Sequence, residues 1–234
     1  MDGEKRAKIH GVPGERARAA GVMRAVGPLL AALFACGLFT GLVLPRVGLG
    51  VAGAGFLVAA GWLVWAVRDG LKGIEAFFKG ARGEERVAAL LAGLPAGFHV
   101  FHDVACCGGA GGIDHVVVGP TGVFVIETKC WAGVVTFREG VVVVNGRLPS
   151  RPPLAQARAS AHALVQFFSE RVDTSPDCVP VVCFASDTFQ PDTLSYEGAV
   201  ICNAAALQVL ITTHNGYLSA DEIERAVKVM EQKD

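Results

Sequence analysis

Two long runs without a charged residue dominate the first third of the chain, residues 25–45 and, after Arg46, residues 47–67. Each is about 20 residues, or about 30 Å as a helix, which matches the hydrocarbon core of a bilayer. The pattern predicts a transmembrane helical hairpin over 25–67. A buried helical pair rarely offers two uncharged runs of this length, and a signal sequence would not follow a polar segment of about 24 residues and precede a second span. Leu71, Ile74, Phe77 and Phe78 then recur at helical spacing. Residues 68–79 therefore read as a juxtamembrane amphipathic segment or as an ordinary helix packed on the downstream domain.

From Gly80 the pattern changes to short elements. Residues 83–94 predict a helix with Val87, Leu90, Leu91 and Leu94 on one stripe. Residues 98–104, 113–118, 123–128, 134–137 and 141–144 predict strands, broken by turn residues such as Gly119-Pro120-Thr121-Gly122 and Glu139-Gly140. A long helix follows Pro152-Pro153 over 154–171, and the apolar runs 179–184 and 199–202 predict buried strands. Ser219 and Glu222 form a capping box opening a last helix that carries Ile223, Val227 and Met230. Helix, strands, helix, strands, helices is the order of an α/β domain with a mixed central sheet flanked by helices. The expected organisation is a basic segment 1–24, the hairpin 25–67, the juxtamembrane segment 68–79 and the α/β domain 80–234.

The hairpin around residues 119–122 carries the chemistry. A symmetric turn sets Gly119 opposite Gly122 and, counting outward in step, Asp114 opposite Glu127. Facing carboxylates about 5 Å apart repel by about 3 kcal/mol at an effective dielectric near 20, so they need a compensating cation. Mg²⁺ or Mn²⁺ answers that need, since such ions take oxygen ligands and are often held by one or two carboxylates. The strand period of 2 puts Lys129 on the face of Glu127 and puts His115 on the face away from Asp114. His115 thus reads as a packed or hydrogen-bonded histidine rather than a general base. The glycine-rich 108–112 suits either a flexible loop or close approach to a phosphate backbone.

Composition adds location and excludes some partners. The 234 residues are 52% hydrophobic with a mean hydropathy of +0.44 and a formal charge of −1. Lys5, Arg6, Lys8, Arg16, Arg18 and Arg24 precede the first run and Arg68, Lys72, Lys79, Arg82 and Arg86 follow the second, whereas the connection holds Arg46. The positive-inside rule then sets both termini and the α/β domain in the cytoplasm, with Trp62 and Trp65 near the inner interface. From Gly80 onward there are 11 Lys and Arg against 17 Asp and Glu, a formal charge of −6. An acidic domain is a poor non-specific binder of polyanions, so any nucleic acid would have to be held locally, with metal help. Seven cysteines, Cys36, Cys106, Cys107, Cys130, Cys178, Cys183 and Cys202, show no metal-ligand spacing and read as free thiols.

Taken together, Gly83-Glu84 opening a helix, Ile113-Asp114-His115-Val116-Val117-Val118, Gly122 through Lys129 with Gly133 after it, and Pro153-Leu154-Ala155-Gln156 resemble the nuclease-related domain, NERD. That family is assigned to the PD-(D/E)XK, restriction-endonuclease-like superfamily. The resemblance covers roughly residues 80–186. It implies a restriction-endonuclease-like fold, Asp114 and Glu127 as metal-binding acids with the Thr128 carbonyl, and Lys129 as the catalytic lysine. It also implies Glu84 as a helix acid supporting the metal or its water, and Gln156 as a glutamine lining the site. Cys130 stands where asparagine commonly follows the lysine, and Pro152 where asparagine often precedes the proline.

The expected activity is Mg²⁺-dependent hydrolysis of phosphodiester bonds in nucleic acid, DNA first, by an enzyme tethered to the lipid bilayer. Cutting both strands of a duplex would require two copies, as in a homo-oligomer, or two visits. A second class is a catalytically inactive membrane-anchored binding or scaffold module that keeps the fold. A transporter or channel is a third, disfavoured because the two runs contain no ionisable residue to line a pathway.

Overall fold

The computed structural model describes residues 6–38, 41, 49–105, 112–172 and 176–232. The chain divides into two compact units, Glu15–Lys79 and Met1–Gly14 with Gly80–Asp234. Strand β1 (Lys8–His10) precedes helices α1 (Glu15–Leu38) and α2 (Leu49–Leu91). The connection expected around Pro45-Arg46 lies outside the described residues.

In the unit Glu15–Lys79, α1 is long and apolar enough to cross a membrane, with a mean hydropathy of 1.7 over its most apolar window and 12% of that window buried. It is one such helix among the described residues, not two. The second expected span is found as the shorter apolar stretch Gly53–Trp65 inside α2. Helix α1 also starts ten residues before the expected boundary, because nothing in Glu15 to Arg24 breaks a helix. Gly21 lets it approach α2 closely, since a Cβ there would lie 2.9 Å from the Phe77 Cβ. Phe77, expected on an amphipathic face, is thus packed against α1.

Two helices expected over 68–79 and 83–94 are instead the continuation of α2, which runs without interruption to Leu91. No proline lies between Pro45 and Pro95 to stop it. The glycines along it cost up to about 1 kcal/mol each, which helix packing overrides.

The other unit is built on a mixed seven-stranded sheet. Strands β2 (His99–Val104), β3 (Ile113–Gly119), β4 (Gly122–Lys129), β5 (Val135–Arg138) and β6 (Val141–Val144) precede helix α3 (Pro153–Ser169). They are followed by β7 (Cys178–Phe184), β8 (Phe189–Gln190), β9 (Thr193–Tyr196), β10 (Ala199–Asn203), α4 (Ala204–Thr213) and α5 (Ala220–Glu231). The order across the main sheet is β1-β2-β3-β4-β7-β10-β9, and β6-β5-β8 form a small second sheet. β4, β7 and β10 run parallel, with α3 as the crossover from β4 to β7. The mixed sheet flanked by helices is the architecture expected from the element order.

Alternation along the strands divides the core. Val117, Phe124, Ile126, Val181 and Cys183 pack with Val87 and Leu91 of α2 and Leu207 and Ile211 of α4. Val116, Val118, Val123 and Val125 pack with Leu164 and Phe168 of α3 and with Ala226, Val227 and Met230 of α5. Near the start of α3, Leu154 and Ala157 pack on Val182, Phe184 and Val135. The capping box at Ser219 is formed as expected, the Glu222 N–H donating to the serine Oγ and the Glu222 carboxylate accepting from the Ser219 N–H. Strands β1, β8 and β9 and helix α4 have no counterpart in the predicted elements. β1 and β8 are short and pair with strands far away in sequence, whereas β9 is a four-residue strand in a local hairpin with β10.

Candidate active site

The β3–β4 turn has the symmetric register, with Gly119 opposite Gly122 and the pairing running in step to His115 opposite Ile126. The ladder changes at the next position. Asp114 Oδ2 accepts a hydrogen bond of 2.7 Å from the Thr128 N–H. Because Val116 and Val118 of β3 and Val123 and Val125 of β4 face α3 and α5, alternation sets Asp114, Glu127 and Lys129 on that same face. There the Lys129 ammonium donates to Glu127 Oε1 at 2.5 Å, with side-chain exposures of 17% and 11%.

A further acid lies on the neighbouring strand. On β2 the pairs with β3 are His102 with His115 and Val104 with Ile113, and Asp103 between them, with φ of +53°, lies abreast of Asp114. Left-handed backbone at a non-glycine residue is uncommon, and aspartate tolerates it better than most. Asp103, Asp114 and Glu127 therefore occupy neighbouring positions on three adjacent strands. Nothing in the linear pattern marks Asp103. It becomes visible only once residues 98–104 are paired with 113–118, because the same register that matches His102 to His115 carries Asp103 to Asp114.

Glu84 reaches the row from α2. Its helix is seated directly on the strand exit, since a Cβ on Gly83 would fall 2.7 Å from the Cys130 Cβ and 3.6 Å from the Ala185 Cβ. Cys130, which departs from the family pattern, is the residue under that contact. Burial first, then the charges of Asp103 and Glu127, raise the Glu84 carboxyl to about 7, against a hydrogen bond from Gly14 and the charge of Lys129. Burial, followed by the charges of Glu127 and Glu84, also holds Asp114 well above the usual carboxylate range. Gly83→Val is expected to push the helix off the strand and to lower stability by about 1–3 kcal/mol through overpacking. Thermal unfolding measures this, and an unchanged melting temperature would mean that the close seat of the helix carries no energetic weight.

The first turn of α3 lies over the same end of the sheet. Leu154 and Ala157 contact the core beside Val182 and Phe184, the β7 residues that pair with Glu127 and Lys129. Gln156 sits between them in sequence, and its Oε1 is buried without a hydrogen-bond partner among the described residues. Thr128 points to the opposite face, where its Oγ1 is buried and likewise unpartnered among those residues.

His115 is also on the far face and fully buried, and its Nδ1 lies 2.8 Å from that of His102. Desolvation by burial lowers His115 to about 3 and His102 to about 4, so both are neutral at neutral pH and neither reaches the acids as a base. Cys106, Cys107 and residues 108–111 lie outside the described residues, whereas Cys36, Cys130, Cys178, Cys183 and Cys202 are free thiols.

The donors that the resemblance implies are oxygens only, two carboxylates and the Thr128 carbonyl, and such a set would suit a hard divalent cation better than zinc. Among the described residues no group of three or more His, Cys, Asp and Glu side chains is arranged around a common point for a metal. Mg²⁺ needs fewer protein ligands than that, commonly one or two carboxylates with water completing the shell. The residues present therefore fit such an ion, and the raised carboxyls are what its charge would relieve.

Residues 79–185 match the family model of the nuclease-related domain, NERD. That span contains Glu84, Asp103, Asp114, Glu127, Lys129 and Gln156. No curated protein and no solved structure matches the chain.

Proposed function

Since the chain belongs, through residues 79–185, to the nuclease-related domain family, we propose that it is a divalent-metal-dependent hydrolase of phosphodiester bonds in nucleic acid, with DNA the first substrate to test. The observation that carries this reading is the convergence of Glu84, Asp114 and Glu127 with Lys129 at one end of the sheet. Clustered acids that raise each other's pKa cost stability, which is the signature of a site kept for chemistry.

Asp114 and Glu127, with the Thr128 carbonyl, would hold Mg²⁺ or Mn²⁺. When bound, such an ion lowers the pKa of a coordinated water and stabilises negative charge on a phosphoryl oxygen. The protein's own contribution is positional and electrostatic. Asp114 is fixed by the Thr128 N–H. Lys129, tethered by Glu127, presents its ammonium to the attacking water or to a non-bridging oxygen as charge builds there. Glu84, with a pKa of about 7, exchanges a proton near neutral pH and can accept one from the water. The water oxygen bonds to phosphorus, the phosphorus–ester oxygen bond breaks, and the leaving oxygen is protonated from solvent.

The apolar helix α1 and the apolar stretch of α2 support an anchor in the lipid bilayer, and the flanking cations support cytoplasmic termini and a cytoplasmic hydrolase domain. A binding or scaffold module is the alternative reading. It is favoured by the closed Lys129–Glu127 ion pair, in which the lysine already satisfies one acid. Calorimetric titration of the full chain with Mn²⁺ separates the two. The hydrolase reading expects binding that Glu127→Ala removes, whereas no binding, or binding indifferent to that change, supports the scaffold.

A further inference from the structure

Cations are segregated in the acidic domain. Between Lys129 and Arg158 the chain carries five Lys and Arg, namely Lys129, Arg138, Arg147, Arg151 and Arg158, against the single acid Glu139. The remainder of the domain from Gly80 holds 6 Lys and Arg against 16 Asp and Glu. That stretch holds β5 and β6, the loop leading into α3 and the first turns of that helix.

Ion pairing sharpens the contrast. Arg86 pairs with Asp187, Arg158 with Glu197 and Arg171 with Glu170. Arg138, Arg147 and Arg151 are exposed and make no ion pair among the described residues. Uncompensated exposed arginines in a domain with surplus acid are an unspent electrostatic resource, and a polyanion is the partner whose charge matches them.

The backbone presents two of these arginines beside tight turns. Glu139 and Gly140, with φ of +49° and +82°, form a two-residue turn directly after Arg138. Asn145 and Gly146, with φ of +48° and +74°, form another directly before Arg147, closed by the bridge from Val144 to Arg147. Positive φ at both central residues is the tight hairpin geometry that fits the strand twist. The second turn is tied back to the strand leaving the site, because the Val134 N–H donates to Asn145 Oδ1 at 3.0 Å and the Asn145 N–H to the Val134 carbonyl at 2.9 Å. Gly133 permits that contact, as a Cβ there would collide with the Asn145 side chain. At its other end the segment passes through Arg151 straight into the first turn of α3, which packs beside the partners of Glu127 and Lys129. One root of the hairpin is thus fixed by the Val134–Asn145 contacts five residues after Lys129, and the other continues into the helix turn packed beside the β7 partners of Glu127 and Lys129.

From this placement we infer that the β5–β6 hairpin and the loop into α3 form the substrate-holding surface, Arg138, Arg147 and Arg151 binding backbone phosphates of a nucleic-acid strand on the approach to Lys129. The inference rests on the hydrolase reading and supplies what an acidic domain lacks, a local cationic track toward its site. Presentation beside tight turns lowers the ordering cost of binding, and the planar guanidinium suits phosphate. The arginines position substrate and take no part in bond breaking.

The test uses the full chain in detergent micelles, with duplex DNA, single-stranded DNA and RNA as separate probes. Equilibrium binding is measured in EDTA across a salt series, and cleavage in Mg²⁺. The Arg138→Gln, Arg147→Gln, Arg151→Gln triple variant should weaken binding and lower the slope of log affinity against log salt by about 3 on a duplex, or about 2 on a single strand. In cleavage it should raise KM while leaving kcat unchanged. A control carrying Arg171→Gln and Arg225→Gln should retain the original slope. Binding, slope and KM equal to those of the unmodified chain in the triple variant would overturn the assignment while leaving the hydrolase reading standing. An equal loss in the control would overturn it as well, by reducing the effect to total charge. An unmodified chain that neither binds nor cleaves any of the three probes would overturn both.

Discussion

Lys129→Ala is expected to reduce metal-dependent cleavage by about 10²–10³-fold, the cost of removing one preorganised electrostatic group from a charged transition state. The effect should fall on kcat, because the lysine is held by Glu127 at the reacting end of the sheet rather than on the exposed hairpin. Asp114→Asn should produce a loss of similar size for a different reason. The asparagine oxygen can still accept from the Thr128 N–H, so the strand geometry survives while the charge that holds the cation does not. Losing Lys129 also strands the buried Glu127, so the melting temperature of each variant must be measured beside its kinetics. Folded variants that cleave at the rate of the unmodified chain would remove Lys129 and Asp114 from the mechanism.

Glu84→Gln is expected to make the metal-free protein more stable, by about 2 kcal/mol at pH 8 once partial solvent screening is allowed for. For a domain of this size that is a rise of about 4–8 °C in Tm. The sign comes from linkage. Glu84 has a folded pKa of about 7 against 4.5 for an ordinary glutamate, so the folded state binds a proton more tightly than the unfolded chain. The destabilisation is fully present above about pH 7, shrinks as pH falls toward 4.5, and is absent below it. The gain from the neutral amide must follow the same window. Unfolding in EDTA at pH 8, 6 and 4 measures it, and a gain that is absent, or constant across the three values, would mean that acid crowding does not destabilise this site. An added divalent cation should erase much of the difference by neutralising the cluster in the unmodified chain.

The parts of this arrangement legible in sequence are those fixed by local rules. The four-residue turn sets the β3–β4 register, and the register sets which side chains face each other, so the Asp114, Glu127 and Lys129 face and the opposite placement of His115 follow from counting. The facing carboxylates are nevertheless not a simple opposed pair, because Asp114 turns to the Thr128 N–H at the end of the ladder. Asp103 is hidden in the sequence because its place depends on which strand lies beside β3, a non-local fact, and on a left-handed backbone that no pattern announces. Strand β1 escapes for a related reason: Lys8, Ile9 and His10 are too few to show a period, and they become a strand only by pairing parallel to His99, Val100 and Phe101. The helix boundaries differ for another reason. A run of charges at the end of an apolar stretch looks like a stop, whereas a helix ends for lack of hydrogen-bond partners or at a proline, and α2 meets neither before Leu91.

The unpaired arginines connect these observations to substrate. They lie in a stretch of the domain where cations outnumber acids, between the strand that carries Lys129 and the helix that carries Gln156. The acid cluster and the cationic hairpin thus occupy consecutive stretches of chain, an order suited to drawing in a polyanion and then placing it against a metal site.

Cleavage by the purified full chain in detergent, assayed on duplex DNA, single-stranded DNA and RNA with Mg²⁺, with EDTA, and with Mg²⁺ restored in excess, tests metal-dependent hydrolysis most directly. Hydrolysis of at least one substrate is expected with Mg²⁺, lost in EDTA and regained when the metal returns. Cleavage that persists in EDTA, or no cleavage of any substrate with Mg²⁺ or Mn²⁺, would refute the proposed activity.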